Sequence, residues 1–245
     1  MADVCEAAIG RGLEEIAFTD HLDYGPVDPD YFRPAEFLAA LADCRERYGD
    51  RLTIRTGIEV GEPHLFADQA AAVLAQGAFD FVLGSAHYNV HMQAGWLRDY
   101  FDQPMDEACS TYFEMVARVA AGGDFDVLSH LDLIKRDARK FGLEYDGPGP
   151  YEDLIREALR SVISRGKGIE INTSPLYRGQ DEPCPSLEIL RWYREMGGEI
   201  LTLGSDAHKS EFVGAHFGRA LEMARSVGFT RLTRFEKRQT RWVEI

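Results

Sequence analysis

The sequence of 245 residues lacks a long apolar run and is poor in cysteine. A membrane-spanning helix needs about 20 consecutive apolar residues, and the first residues show no basic start followed by an apolar stretch. The four cysteines lie far apart with no Cys-x-x-Cys pair, which favours reduced thiols over a disulfide framework or a structural zinc knuckle. We therefore expect a cytoplasmic protein with no membrane partner.

The sequence also lacks the basic residues that a nucleic-acid partner requires. Its formal net charge is −14 at pH 7, whereas a phosphate backbone is bound by a basic surface. We therefore expect no nucleic-acid partner. A small anion is still compatible with an acidic protein where bound metal ions supply local positive charge.

Short apolar runs typical of strands alternate with helical stretches along the whole chain. This alternation predicts an α/β fold with a parallel sheet, and the absence of repeats and linkers predicts one domain over residues 1–245. The predicted strands lie near residues 15–19, 52–60, 79–86, 126–131, 168–173 and 200–205. A helix is predicted within the first 12 residues, and further helices at 34–48, 67–76, 106–121, 151–165, 186–196 and 215–227.

Polar residues able to bind metals follow the predicted strands at the points where they end. They are Asp20 and His21, Glu59, His87, His130, Asn172, and Asp206 with His208. In a parallel barrel the carboxyl ends of the strands and the loops after them form one face, so these side chains are expected to converge there.

Imidazole and carboxylate groups together suit Zn²⁺, Mn²⁺ or Fe ions. Two or more such ions activate water and hold a phosphoryl oxygen, so the pattern predicts metal-assisted hydrolysis. Asp23 and Asp132 lie beside these residues, and we expect them to be hydrogen-bond partners or caps rather than ligands.

Six motifs in this order resemble the polymerase-and-histidinol-phosphatase (PHP) superfamily, and more narrowly its histidinol-phosphate phosphatases of histidine biosynthesis. They are TDH at 19–21, GIE at 57–59, GSAH at 84–87, SHLD at 129–132, EINTS at 170–174 and GSDAH at 204–208. The tail FEKR at 235–238 is also similar to the end of that family. The resemblance covers essentially the whole chain.

The resemblance implies a distorted (β/α)7 barrel that holds up to three divalent ions. In that arrangement Glu59 bridges the first two ions, and His87 and His130 complete the second. Asp206 belongs to the first ion, and His21 and His208 to the third.

The resemblance also implies a small phosphorylated substrate, with Glu59, Asp206 and Arg178 as the catalytic residues. Arg178 is the best candidate for gripping phosphate, since a guanidinium matches two phosphate oxygens. Asn172 and Lys135 are further candidates for substrate binding, together with Arg136. Ordinary surface charge is the alternative interpretation of Lys135 and Arg136.

The chain departs from the family in one large respect. Members of the family open with a strand that carries a His-x-His pair. That strand and its pair are missing from this chain, which begins directly with the first helix. The first ion then keeps Glu59 and Asp206, so we expect fewer than three ions in the chain as written. A mis-assigned start codon or a truncation explains the departure most simply, and a naturally shortened protein is the alternative.

The expected reaction is hydrolysis of L-histidinol phosphate to L-histidinol and phosphate. One alternative is another PHP phosphoesterase, acting on a nucleotide, a phosphodiester or phosphotyrosine. An alternative of another class is a non-catalytic barrel that binds metal, because the His-x-His ligands are absent.

Overall fold

A computed structural model of the chain describes residues 1–27 and 32–245. Its α-helices are α1 (Ala2–Gly10), α2 (Pro34–Tyr48), α3 (Ala67–Leu74), α4 (Met105–Gly122), α5 (Ile134–Lys140), α6 (Glu152–Ser164), α7 (Ser174–Tyr177), α8 (Leu187–Glu195) and α9 (Phe217–Ser226). Its strands are β1 (Glu15–Phe18), β2 (His21–Leu22), β3 (Thr53–Gly61), β4 (Phe81–Ser85), β5 (Val127–Leu128), β6 (Gly168–Asn172), β7 (Leu201–Gly204), β8 (Arg231–Glu236) and β9 (Gln239–Glu244). Three single turns of 3₁₀-helix lie between them.

The first seven strands form one parallel sheet with the order β1-β3-β4-β5-β6-β7, and β2 also pairs with β3. The sheet curls, so that residues of both β1 and β7 line one cavity of about 440 Å³. This arrangement confirms the predicted α/β fold with a barrel-like sheet. Between the two edges, β1 and β7, residues 1–27 and 32–245 form no strand pairing. That a further strand belongs there stays a prediction.

The strands at the centre of the sheet are buried on both faces. All five residues of β4 and all five of β6 are buried, as expected for parallel strands whose two faces are both covered. Helices α4 and α6 pack against each other outside the sheet. Alternating apolar and polar positions at helical spacing give α6 its single buried face, with Ile155, Leu159 and Val162 inward.

All six predicted strands and all seven predicted helices are present. The structure also contains elements that were not predicted, namely β2, α5, α7 and the antiparallel β8–β9 hairpin. The two residues of β2 are too few to show the alternation that marks a strand. The two turn residues of the hairpin, Lys237 and Arg238, adopt positive φ angles of 52° and 61°. Such turns usually carry Asn-Gly, so the sequence carries no hairpin signal here.

The hairpin turn binds the amino ends of β4 and β5. The Arg238 side chain donates to both carboxylate oxygens of Asp124 and of Asp126. The backbone N–H groups of Lys237 and Arg238 donate to Asp80. The turn therefore closes the end of the sheet opposite to the strand ends singled out in the sequence. Along the described chain, no helix combines the length and the apolar character needed to cross a membrane.

Candidate metal centre

Glu59, near the end of β3, lies at the centre of a buried cluster. Its Oε1 atom accepts a hydrogen bond of 2.5 Å from Ser85, and lies 3.0 Å from His87 Nε2 and 2.9 Å from His130 Nε2. Its Oε2 atom lies 3.7 Å from Nε2 of His21. Four strand ends therefore converge on one carboxylate, because the parallel register places His21 beside Glu59 and β4 and β5 follow in order.

The Asp23 carboxylate fixes two of these imidazoles from behind. Its Oδ2 atom lies 2.9 Å from Nδ1 of His21, and its Oδ1 atom lies 2.9 Å from Nδ1 of His87. Gly61 makes room for this carboxylate, since a Cβ atom at that position would collide with Oδ1 of Asp23. A carboxylate that binds Nδ1 leaves Nε2 to face the centre of the site, as it does behind metal-binding histidines. Asp23 thus acts as the hydrogen-bond partner that the sequence predicted.

The charges in this cluster support one another. Burial alone would raise the pKa of Glu59, but His21, His130 and His87 hold it well below the ordinary value. Asp23 likewise keeps a lowered pKa despite its burial, because His87 and His21 contact it. The Glu59 charge raises the pKa of His21 to about 9. The acidic residues of the cluster are therefore ionised and ready to hold positive charge.

A third acidic residue, Glu62, lies beside the cluster and has a different role. Its Oε1 atom accepts hydrogen bonds from the backbone N–H groups of His87 and Tyr88, at 2.6 Å and 3.0 Å. Burial raises its pKa to about 7. Glu62 thus holds the backbone that carries His87 and does not face the imidazole nitrogens.

Asp206 and His208, after β7, lie at the open side of the cluster. The ring centroids of His208 and His21 are 5.9 Å apart. Asp206 has a positive φ of 48°, and its Oδ2 atom accepts a hydrogen bond of 3.0 Å from Arg136. Arg136 also donates to Ser174 Oγ at 3.2 Å. The structure brings Asp206 and His208 to the site. The Asp206 carboxylate pairs with the Arg136 guanidinium there and not with the imidazoles around Glu59.

Asn172, at the end of β6, is engaged by its own neighbours. Its Nδ2 atom donates to Glu170 Oε2, which also accepts from the backbone N–H of His130, and its Oδ1 atom accepts from the backbone N–H of Ser174. Burial raises the pKa of Glu170 to about 7. Asn172 therefore connects the loop that carries His130, through Glu170, to Ser174 at the start of α7, and its side-chain polar atoms are already paired.

The three cationic candidates for substrate binding have different surroundings. The buried Lys135 amino group contacts Asp132 at 2.8 Å and donates to the carbonyl of Pro183 at 2.6 Å, and it lines neither cavity. The structure therefore does not bring Lys135 to the site. Arg136 and Arg178 both line a second cavity of about 380 Å³ with the imidazoles. Arg178 is exposed at its mouth and stacks on the Tyr177 ring.

The described side chains fit a metal ion in two overlapping groups. The groups are Glu59 with His87 and His130, and His21 with Asp23 and His87, and within each group the candidate ligand atoms lie within 4.8 Å of one another. In the second group Asp23 already pairs with both Nδ1 atoms, so the first group is the better candidate. Nitrogen and oxygen donors without sulfur suit Zn²⁺, Mn²⁺ or Fe ions. The other three histidines, His64, His91 and His216, line neither of the two cavities.

Two features of the site had no clear signal in the sequence. Trp96 lines the second cavity from the loop between β4 and α4, and an isolated aromatic residue in a loop carries no pattern. Arg136 reaches the site and Lys135 does not, because consecutive side chains of a helix point in different directions. The sequence could have shown this only if the first residue of α5 had been predicted.

A curled parallel sheet with buried imidazole and carboxylate groups at its carboxyl strand ends defines a metal-binding α/β protein. The chain belongs to the PHP domain family, whose model matches residues 1–174.

Among curated proteins, the chain is 30% identical over 243 residues to a probable histidinol-phosphatase of Clostridium acetobutylicum, covering 95% of this chain and 91% of the relative. It is 28% identical over 244 residues to the histidinol-phosphatase of Lactococcus lactis, covering 93% and 85%.

Among solved structures, the fold is similar to that of the Lactococcus lactis histidinol phosphate phosphatase complexed with zinc, L-histidinol and phosphate. The TM-score is 0.77 at 22% identity, over 98% of this chain and 91% of that one. A putative histidinol phosphatase from Listeria monocytogenes gives a TM-score of 0.76 at 17% identity, over 89% and 92%. Zinc is thus bound in a protein of this fold.

Proposed function

We propose that this protein is a metal-dependent phosphomonoesterase that hydrolyses L-histidinol phosphate to L-histidinol and phosphate. The observation that carries the proposal is the cluster of three imidazoles around Glu59, in a cavity that Arg136 and Arg178 also line. The curated relatives described above, which are histidinol-phosphatases, support this substrate.

The proposed metal ligands are the side chains that converge at the carboxyl ends of the strands. They are His21, Glu59, His87, His130, Asp206 and His208. Divalent ions of zinc, manganese or iron held by these residues would supply Lewis acidity, which would stabilise charge on phosphoryl oxygens and acidify water. Asp23 keeps the rings of His21 and His87 oriented through their Nδ1 atoms.

Two arginines of the cavity are proposed to bind the phosphoryl group. Arg136 is held at Nε by Asp137 and at Nη1 by Ser174 and Asp206, so its position is fixed before substrate arrives. Arg178 at the mouth is exposed and stacks on Tyr177, so its guanidinium is placed to meet an incoming anion. The two cations offset the negative charge of Glu59 and Asp206 as the substrate approaches.

In the proposed reaction, the oxygen of water bonds to phosphorus while the bond between phosphorus and the ester oxygen breaks. The water proton leaves to solvent and the departing alkoxide is protonated, which yields L-histidinol and inorganic phosphate. Glu59 stays ionised because the imidazoles lower its pKa, and the arginines stabilise the charge that grows on the phosphoryl oxygens.

Steady-state kinetics on a panel of phosphate esters test this proposal. The purified protein, incubated with Zn²⁺ or Mn²⁺, is compared on L-histidinol phosphate, a nucleoside monophosphate and a phosphodiester. We expect the highest kcat/KM on L-histidinol phosphate, and no turnover of it by His130→Ala. A higher kcat/KM on either other ester would favour another phosphoesterase activity. Metal binding without turnover of any ester would favour a non-catalytic protein.

A further inference from the structure

We propose that Trp96 is the specificity-determining residue that binds the flat ring of the alcohol part of the substrate. The inference rests on the proposed function and concerns a part of the site that takes no role in metal or phosphate binding. The substrate class it implies is a phosphate monoester whose alcohol carries a small heteroaromatic ring a few bonds away from the ester oxygen.

The position of Trp96 relative to the metal centre carries the inference. Its ring centroid lies 5.9 Å from that of His87, in an edge-on contact, and His87 in turn contacts Glu59. The indole therefore lies one ring away from the cluster. A phosphoryl group held at the cluster places its alcohol within reach of the indole.

The chemistry of the cavity divides into polar and apolar parts. Trp96 and Leu133 provide its apolar side chains, while Arg136 and Arg178 provide its cations. Trp96 is half-buried and Leu133 is buried, so part of the indole stays open to the cavity. A cavity that combines cations with an aromatic wall suits an anion joined to a flat apolar or heteroaromatic group. An imidazolium ring gains further attraction from the face of an indole.

The loop that carries Trp96 is held in place by its own contacts. Tyr88 and Ala94 form a β-bridge across it, and the Tyr88 ring packs edge-on against Trp96 with centroids 5.4 Å apart. The Asn89 side chain accepts from the backbone N–H groups of His91 and Gln93, both at 3.0 Å. The Lys140 amino group donates to the carbonyl of Trp96 at 3.2 Å. The indole is thus positioned before a ligand binds, as a specificity pocket requires.

Kinetics with two substrates test the role of Trp96. The variants are Trp96→Ala and Trp96→Phe, with Trp242→Ala in the distant hairpin as the matched control. The substrates are L-histidinol phosphate and phosphoethanolamine, which keeps the amine and the phosphate but has no ring. We expect Trp96→Ala to lower kcat/KM for L-histidinol phosphate by about tenfold or more, the range for loss of an apolar pocket contact. The kcat/KM for phosphoethanolamine should change little, and Trp96→Phe should retain most of the selectivity.

Binding of the product alcohol gives a readout that does not depend on turnover. L-histidinol should quench the tryptophan fluorescence of the unmodified protein and of Trp242→Ala, and quench Trp96→Phe much less. Equal loss of kcat/KM on both substrates in Trp96→Ala, or unchanged quenching in Trp96→Phe, would overturn the proposal. If the unmodified protein does not hydrolyse L-histidinol phosphate, the proposed function fails instead, and the quenching experiment still reports whether Trp96 binds the ring.

Discussion

The two ends of the parallel sheet both bury carboxylates, but they surround them with different partners. At the amino ends of β4 and β5, Asp126 accepts from the backbone N–H of Val82 and from Arg238. Asp80, at the same end, accepts from the backbone N–H groups of Thr56 and Lys237. At the carboxyl ends, Glu59 and Asp23 face imidazole nitrogens.

The difference lies in whether the partners can be replaced. Backbone N–H groups and guanidinium groups donate only and stay protonated. The carboxylates at the amino ends therefore serve to hold the fold together and are not exchanged for a metal ion. Imidazole nitrogens bind either a proton or a metal ion. A buried carboxylate surrounded by imidazoles is therefore a place where an ion can be exchanged, whereas one bound by backbone and arginine is structural. Burial of charge alone does not separate the two ends.

The largest expected effect is loss of activity in Glu59→Gln. The change removes the charge at the centre of the proposed metal-binding cluster and keeps the shape of the side chain. We expect kcat/KM to fall by about a thousandfold or more, because metal-assisted charge stabilisation is worth several kcal/mol. Steady-state kinetics with L-histidinol phosphate measures it.

Glu62→Gln is the matched control for that change. It makes the same chemical change at a neighbouring buried position, where an amide oxygen still accepts the N–H groups of His87 and Tyr88. We expect a far smaller loss of activity than in Glu59→Gln. Equal losses in the two variants would show that burial, and not contact with the imidazoles, sets the importance of a carboxylate here.

A second, smaller effect is expected in Asp23→Asn. One side-chain atom of asparagine is a donor, so it opposes the Nδ1–H of one imidazole. We expect metal affinity to fall by about 10-fold to 100-fold, the usual effect of losing a carboxylate behind a metal-binding histidine. Calorimetric titration with Zn²⁺ measures the affinity. Asp80→Asn at the opposite end should leave it unchanged, and an equal loss there would contradict the distinction between the ends.

At the amino ends of the strands, Arg238→Ala should affect stability and not catalysis. It leaves the buried Asp126 without its cation, which we expect to lower the free energy of unfolding by about 1–3 kcal/mol. Urea denaturation measures the loss, and kcat/KM per folded molecule should stay as in the unmodified protein. The control is Arg241→Ala on the exposed face of β9, for which little change in stability is expected.

The smallest effect is expected in Ser174→Ala, which removes one of the hydrogen bonds that hold Arg136. A hydrogen bond to a charged group contributes about 1.5–3 kcal/mol. Because Arg136 keeps its bonds to Asp137 and Asp206, we expect kcat/KM to fall by only about twofold to tenfold, mainly through KM. Ser110→Ala, at an exposed hydroxyl on α4, is the control for loss of a serine. A fall in kcat with KM unchanged would argue that Arg136 does not bind the ground-state phosphate.

Much of the fold was predictable because buried parallel strands are short apolar runs, and these are visible in the sequence. The polar residues that interrupt each run, such as Glu59, His87 and His130, mark the strand ends, and the parallel topology brings them together. The positions of these three residues followed from periodicity and topology, without any knowledge of side-chain contacts. Their roles as ligands stay predictions.

Two kinds of feature could not be predicted: the direction in which each side chain points around a helix, and the path of a loop. Lys135 and Arg136 are consecutive residues of α5, and a helix turns successive side chains by about 100°. Without the start of the helix, the sequence could not say which of them faces the cavity. Trp96 lies in a loop whose path is set by the Asn89 side chain and by the bridge between Tyr88 and Ala94, and none of these contacts has a repeating pattern.

Because one oxygen of Asp23 holds His21 and the other holds His87, the separation of these two rings is set by the width of a single carboxylate. The two rings therefore cannot be adjusted independently by separate changes in their own loops. Accommodation of ions of different radius falls instead to the Oε2 atom of Glu59, which lies 3.7 Å from Nε2 of His21. Selectivity among metals in this protein is thus expected to evolve on one side of the cluster while the other side stays rigid.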